Sequence, residues 1–169
     1  STTGYATTDF NLWPDFSKLI LIILMLIGGC AGGTAGAIKV VRILLLIKIG
    51  LRELYEIIHP NAIFQIKLNG KIIPEDTLQG VSGFYFFYMI TFGLCSLIML
   101  AFGNDLLTSI SSVATTLGGV GPGLSLVGPM ATYSFLPSIP KLVLCFCMLA
   151  GRLELITLFA LFIPSYWKE

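Results

Sequence analysis

Gly28-Gly29-Cys30-Ala31-Gly32-Gly33-Thr34-Ala35-Gly36 places five glycines within nine residues. The stretch separates two apolar runs, Leu19 to Ile27 and Ala37 to Leu51. Neither run alone reaches the roughly 20 apolar residues needed to cross a bilayer, but together with the stretch they do. The chain is therefore expected to enter a membrane, lose its helix near the middle and resume it. Lipid cannot satisfy free N–H and C=O groups, so irregular backbone at that depth belongs inside protein or beside water. The glycines thus mark a cavity or pore. A nucleotide-binding loop is disfavoured: the stretch lacks G-x-G-x-x-G and the Gly-Lys-Ser/Thr ending, and it follows an apolar helix rather than a strand.

The rest of the composition agrees. Of 169 residues, 56% are hydrophobic and 11% are charged, against about 25% charged in soluble domains. Mean hydropathy is +0.91. An integral membrane protein is expected, and the net charge of +1 gives no reason to expect a nucleic acid partner. No basic n-region or small-residue cleavage site marks a secretory signal. The chain opens on Ser1-Thr2-Thr3-Gly4-Tyr5, turn-like and without an initiator Met, so it is expected to be the C-terminal part of a longer protein. Cys30, Cys95, Cys145 and Cys147 are expected to be free buried thiols, since no zinc-type spacing is present.

Residues 1–13 are expected to be loop. A helix is expected from about Pro14 to Ile27, with Pro14 and Asp15 suited to its first turn. It should resume near Ala35 and run to about Ile58, ended by His59-Pro60. His59 suits a cap or surface role better than that of a ligand or base. Ala62 to Leu68 and Lys71 to Ile73, joined by Asn69-Gly70, spell a small hairpin, because Asn-Gly supplies the positive φ angles of a two-residue turn. Gly80 to Gly103 carries no charge in 24 residues, about 36 Å of helix and enough to span. Its start, Phe84 to Tyr88, suits an interfacial aromatic belt. Asp105 to Thr116 is too short and too rich in Ser and Thr to span, and suits a re-entrant pore helix. Gly118-Gly119-Val120-Gly121-Pro122-Gly123 cannot be regular helix. After an extended return over 125–140, Lys141 to Ile163 should be the final span, ended by Pro164 and anchored by Tyr166, Trp167 and Lys168.

Six of the ten basic residues (Lys39, Arg42, Lys48, Arg52, Lys67 and Lys71) lie between the glycine stretch and the next span. The positive-inside rule then puts residues 50–79 and the C-terminus in the cytoplasm. The loops at 1–13 and 118–123 open to the outside.

A shift of 123 residues aligns the two inner helices. Pro14 meets Pro137, Lys18 meets Lys141, Met25 meets Met148, Gly28 meets Gly151 and Thr34 meets Thr157. The repeating unit is outer helix, pore helix, filter loop, inner helix. Residues 1–58 are the end of one copy, 59–79 a connector with the hairpin, and 80–169 a complete copy. Arg152 falls opposite Gly29, so charge and helix break share one depth.

These features define candidate sites. The C-terminal end of a pore helix favours a cation through its last carbonyls, and a glycine-rich loop can replace an ion's water shell with carbonyl oxygens. The candidate filter is Thr3, Gly4 and Tyr5 with Val120, Gly121 and Pro122. The alternative for Thr3-Gly4-Tyr5 is an ordinary tight turn. Arg152 lies within the last span, where a charge costs about 2.5 kcal/mol or more and is functional by default. It faces the pore or forms a structural ion pair. Glu154 is a possible gate partner.

Thr3-Gly4-Tyr5 resembles the Thr-x-Gly-Tyr core of potassium filters. With Ser1 to Phe10, Gly28 to Gly36 and Ile38-Lys39, His59-Pro60, Gly121-Pro122-Gly123 and Gly151-Arg152-Leu153-Glu154, the whole chain resembles the TrkH/KtrB family of bacterial potassium transporters, in particular its TrkH branch. The resemblance implies an all-α integral membrane protein of potassium-channel-like M1–pore helix–filter–M2 pseudo-repeats, four around one pore, with a broken M2 helix and a small cytoplasmic β-hairpin. This chain would be the end of the third repeat and all of the fourth. It implies K⁺ held at filter carbonyls as the transported ion, no cofactor and no enzymatic activity. It also implies Gly28, Gly29, Cys30, Ala31, Gly32, Gly33, Thr34, Ala35 and Gly36 as an intramembrane gate with Arg152 in the pore beside it. The implied partners are the missing N-terminal repeats, a second copy in a homodimer, the lipid bilayer and a TrkA-like cytoplasmic nucleotide-binding regulatory subunit, at the bacterial inner membrane with the C-terminus cytoplasmic. Gly118-Gly119 departs from the family, where many relatives carry Asn-Asn. A Na⁺-coupled or Na⁺-permeable member, or a secondary transporter with a broken-helix substrate site, is the alternative.

Overall fold

The structure, a computed structural model, describes residues 2–30, 32–33, 35–60, 64–153 and 155–160. The glycine-stretch residues Ala31 and Thr34, the candidate Glu154, and the expected anchors Tyr166, Trp167 and Lys168 lie outside the described residues.

Among the described residues, six α-helices and one hairpin succeed one another in order: α1 (Asp15–Ile27), α2 (Val40–Ile58), β1 (Lys67–Leu68), β2 (Lys71–Ile72), α3 (Glu75–Ala101), α4 (Leu106–Gly118), α5 (Ser138–Arg152) and α6 (Leu155–Ala160). Prolines set three of the starts. Pro14, Pro74 and Pro137 sit at N-caps with φ near −60°, the value the ring imposes and the one an incoming helix needs. Pro14 and Pro137 are 123 residues apart, so α1 and α5 begin in the same register.

Three boundaries differ from expectation. The helix after the glycines resumes at Val40, not near Ala35. Gly36 is pressed against α4, and Ala37 and Lys39 take positive φ of 62° and 73°, which no α-helix accommodates. The expected last helix, Lys141 to Ile163, is interrupted within the described residues, and Ile163 and Pro164 lie outside them. It starts three residues earlier, stops at Arg152 and restarts at Leu155. Pro140 is tolerated because the first turn needs no N–H from it. Helix α3 also starts earlier than Gly80, since Glu75 and Asp76 sit in its first turn and favour the positive end of the helix dipole. Among the described residues α3 is the one helix long and apolar enough to cross a membrane.

The hairpin is present and short. Lys67 opposes Ile72 and Leu68 opposes Lys71, with Asn69 and Gly70 both at positive φ in the turn. One further bond, Ile73 N–H to Ile66 O at 3.0 Å, extends it. It packs on α2 and α3 through a small apolar cluster of Leu45, Ile66, Leu78 and Val81. Lys48 donates to the Lys67 carbonyl, and Arg52 grips Glu75 with two 2.8 Å hydrogen bonds. Arg42 lies 4.2 Å above the Phe84 ring. Part of the expected aromatic belt is therefore core: Phe84 and Tyr88 are buried, while Tyr85, Phe86 and Phe87 are exposed.

Helix α4 is the hub. It packs against α1, α3 and α5, and every residue from Ser111 to Gly118 is buried, as are Thr108 and Ser109. The main core gathers Val113 and Leu117 of α4 with Ile38, Tyr88, Met99, Leu144 and Ala150. The cysteines split rather than all being buried: Cys95 and Cys147 are interior, and Cys30 and Cys145 are exposed. Cys145 and Cys147 sit two apart on α5 and so present different faces.

Candidate functional site

The site begins at the two ends of α4. Asp105 caps the N-terminus by accepting from Thr108 N–H at 3.2 Å. At the C-terminus Gly119 adopts φ 68°. Its N–H reaches Thr116 O at 3.2 Å, and Val120 N–H reaches Thr115 O at 2.8 Å. This pair is a Schellman motif, which turns the chain out of the helix. Its left-handed position accepts glycine or asparagine, and Gly119 fills it here. The motif uses carbonyls expected to face a cation. A third, Leu117 O, accepts from Ala37 N–H at 3.3 Å. The negative end of α4 is thus shared with the chain's own donors.

Three hydroxyls on one face of α4 tie the following loop to the helix. Thr115 Oγ1 donates to Pro122 O at 3.1 Å. Ser111 Oγ donates to Leu124 O at 3.2 Å and accepts from Leu124 N–H at 3.1 Å. Thr108 Oγ1 accepts from Leu126 N–H at 3.3 Å. The spacing 108, 111, 115 is the i, i+3, i+7 row of a helix. The Ser and Thr content is visible in the sequence; the row is the signal that these particular side chains hold the loop.

The loops carrying Thr3–Tyr5 and Val120–Pro122 meet. Gly4 and Gly121 both take positive φ, 78° and 106°. A Cβ on Gly4 would lie 2.6 Å from the Val120 carbonyl oxygen, so only glycine fits there. Tyr5 is 93% exposed. Behind the contact Asn11 pairs its side-chain amide with the Ser125 backbone, accepting from N–H at 2.9 Å and donating to O at 3.1 Å. Neither Asn11 nor Tyr133, whose hydroxyl donates to Gly121 O at 2.8 Å, is legible in the sequence as a site residue. A cavity of about 270 Å³ lies against these loops, walled by Thr2 to Tyr5, Val120, Pro122, Leu21, Met25 and Gly28. It joins both loops to the first residue of the glycine stretch.

That stretch leaves α1 at Gly28, φ 73°. Its neck is closed by three backbone bonds: Ile38 N–H to Leu26 O, Lys39 N–H to Ile27 O and Val40 N–H to Gly29 O, at 2.9–3.3 Å. Gly36, Ala37 and Ile38 are buried, and a Cβ on Gly36 would lie 2.7 Å from Gly118 O. The tip is looser. Cys30 and Gly32 are exposed, and a turn bond runs from Gly33 N–H to Cys30 O at 3.1 Å. Arg152 is the last residue of α5 and is exposed. The glycine before it touches the hub: a Cβ on Gly151 would lie 2.0 Å from Leu117 O.

Comparison with known proteins decides the family. A model of the TrkH family, described as cation transport protein, matches residues 1–169. The chain belongs to the TrkH family. It is 41% identical over its full length to the Trk system potassium uptake protein TrkH of Escherichia coli K12 and covers 35% of that protein. It is 42% identical to TrkH of Vibrio parahaemolyticus and 34% to the Trk system potassium uptake protein TrkI of Halomonas elongata. The crystal structure of the potassium transporter TrkH from Vibrio parahaemolyticus matches 98% of this chain with a TM-score of 0.87 and 41% identity, over 35% of that structure's chain. This TrkH-family chain thus spans about a third of the length of the relatives it matches.

Proposed function

We propose that this chain forms part of a K⁺-selective uptake pore in the bacterial inner membrane. The filter is built from Thr3, Gly4 and Tyr5 and from Val120, Gly121 and Pro122, with K⁺ at their carbonyls. The gate is the loop Gly28–Gly36, with Arg152 in the pore beside it and Glu154 as its possible partner. The observation that carries the reading is the meeting of two loops with matched left-handed glycines over a cavity that reaches Gly28. The named potassium uptake relatives support the cargo.

The remaining walls are assigned to further repeats, since the matched relatives are longer than this chain. The inner helix is α1 and α2, broken within the membrane between Ile27 and Val40. The hairpin and the C-terminus lie on the cytoplasmic side. A TrkA-like nucleotide-binding subunit acts there on the basic end of α2, and the complete protein is a dimer without cofactor or enzymatic activity. A substrate-binding secondary transporter is disfavoured, because α4 is a capped short helix feeding an irregular loop rather than half of a spanning helix.

The test is Rb⁺ uptake by K⁺-transport-deficient cells expressing the complete reading frame, with Na⁺ as competitor. Saturable Rb⁺ uptake preferred over Na⁺ supports the reading. Na⁺ uptake of equal rate would favour the Na⁺-permeable alternative, and no monovalent cation flux would remove the pore altogether.

A further inference from the structure

The two filter loops are held by different means. Gly4 is confined by backbone, with the Val120 carbonyl filling the space a side chain would need. Gly121 has nothing within 4 Å of where its Cβ would be, and its φ of 106° lies in a basin that only glycine explores widely. No packing restrains it on that side. Its neighbours are fixed: Val120 N–H bonds Thr115 O, and the Pro122 carbonyl accepts from Thr115 Oγ1. Gly121's own carbonyl accepts from the Tyr133 hydroxyl at 2.8 Å.

Tyr133 is itself well fixed. It begins a single 3₁₀ turn, Tyr133–Phe135, closed by Leu136 N–H to Tyr133 O at 3.3 Å. Thr132 and Ser134 share a 2.8 Å hydroxyl–hydroxyl bond, and Lys141 Nζ of α5 donates to Ser134 O at 3.1 Å. Tyr133 shares the wall of a small cavity with Leu144, Cys145 and Met148 of α5. A chain of contacts thus runs from α5 through Lys141 and the turn to the filter carbonyl. Burial pushes the Tyr133 phenol up to about 12, so it remains a donor at any physiological pH.

We propose that Tyr133 is a positioning residue for ion selection, fixing the Gly121 carbonyl through its hydroxyl so that the Val120–Gly121–Pro122 loop discriminates K⁺ from Na⁺. The inference rests on the filter reading above. Selectivity depends on the number and placement of coordinating carbonyls, and a free Gly121 would let this corner contract around the smaller ion.

The experiment is Rb⁺ uptake by Tyr133→Phe in the complete protein, reading the inhibition constant of Na⁺ relative to the KM for Rb⁺. That ratio is independent of the amount of folded protein, so a merely structural role would lower Vmax and leave the ratio in place. The expected result is a fall in the ratio of about threefold or more, with Na⁺ the better competitor. An unchanged ratio in a variant that still carries Rb⁺ overturns the proposal while leaving the pore reading intact. Absence of Rb⁺ uptake by the unsubstituted protein overturns both. Should the Phe variant carry no flux, Lys141→Met tests the same clamp one step back. A smaller fall in the ratio is expected from it, and no fall would overturn the clamp.

Discussion

Helices α1 and α5 begin after prolines 123 residues apart and end within two residues of the same register, yet the chain beyond them differs. After Ile27 it spends twelve residues, 28–39, in a glycine-rich excursion before helix resumes. After Arg152 it spends two, and α6 resumes at Leu155. The two breaks share a neighbour. Both breaks press against the C-terminal end of α4, where Gly36 approaches Gly118 O and Gly151 approaches Leu117 O. The long excursion has a second property: its neck is closed by backbone bonds while Cys30 and Gly32 near its tip are exposed. Composition separates the two interruptions, a glycine-rich loop after α1 and a short one beginning at Arg152 after α5.

The largest effect should come from filling the shared contact. In Gly151→Ala the new Cβ would meet the Leu117 carbonyl at 2.0 Å. Both partners are backbone of packed helices, so neither yields cheaply. Overpacking of this kind costs about 1–3 kcal/mol and occasionally more. The thermal midpoint of the purified protein should fall by several degrees or the protein should fail to accumulate. A midpoint equal to the unsubstituted protein's would show that α5 does not need this approach.

Next comes the tip of the long excursion. Deleting residues 31–34 leaves the neck bonds from Ile38, Lys39 and Val40 in place. If the loop blocks in one arrangement and withdraws in another, shortening it removes the blocking population. Rb⁺ uptake should rise severalfold, with K⁺/Na⁺ preference nearly intact because the proposed filter loops are separate elements. A fall in flux in well-folded protein, or a collapse of selectivity at unchanged flux, would assign the stretch to the fold or the filter. Arg152→Ala probes the other break. If Arg152 lies in the pore as proposed, its fixed positive charge repels a passing cation, so its loss should raise flux, by less than the deletion does. Loss of folded protein instead would point to a structural ion pair.

Much of the contrast between the two breaks is legible in the amino-acid sequence. The matched prolines at 14 and 137 set both helix starts, and Asn69-Gly70 set the hairpin. The ends are less legible. Nothing local in Ala37-Ile38-Lys39 forbids helix; the positive φ at Ala37 and Lys39 arises from folding the chain back onto Leu26 and Ile27. Nothing in Leu149 to Leu155 announces the stop at Arg152 either. In the site, the glycines are legible because positive φ leaves a compositional trace. The side chains that hold them, Asn11 and Tyr133, are not, because their partners are backbone atoms 114 and 12 residues away.

The smallest expected effect separates neck from tip within the same glycine stretch. Gly28→Ala adds a Cβ at φ 73°, 2.6 Å from the Ala37 Cβ and 2.8 Å from Gly36 O. It should destabilise through both strain and contact, since φ 73° with ψ −154° is a region essentially reserved to glycine, where a side chain costs about 1–3 kcal/mol. Gly32→Ala adds a Cβ with nothing within 4 Å and without a positive φ. Its stability should stay within about 0.5 kcal/mol of the original. Its one physical consequence is a narrower choice of backbone conformations at the tip. If the tip must interconvert between two arrangements, Gly32→Ala should shift Rb⁺ flux modestly while the thermal midpoint holds. Gly28→Ala should lower the midpoint first. Equal losses of midpoint in the two variants would mean that the tip is packed as firmly as the neck, and the distinction between a fixed base and a movable end would go with it.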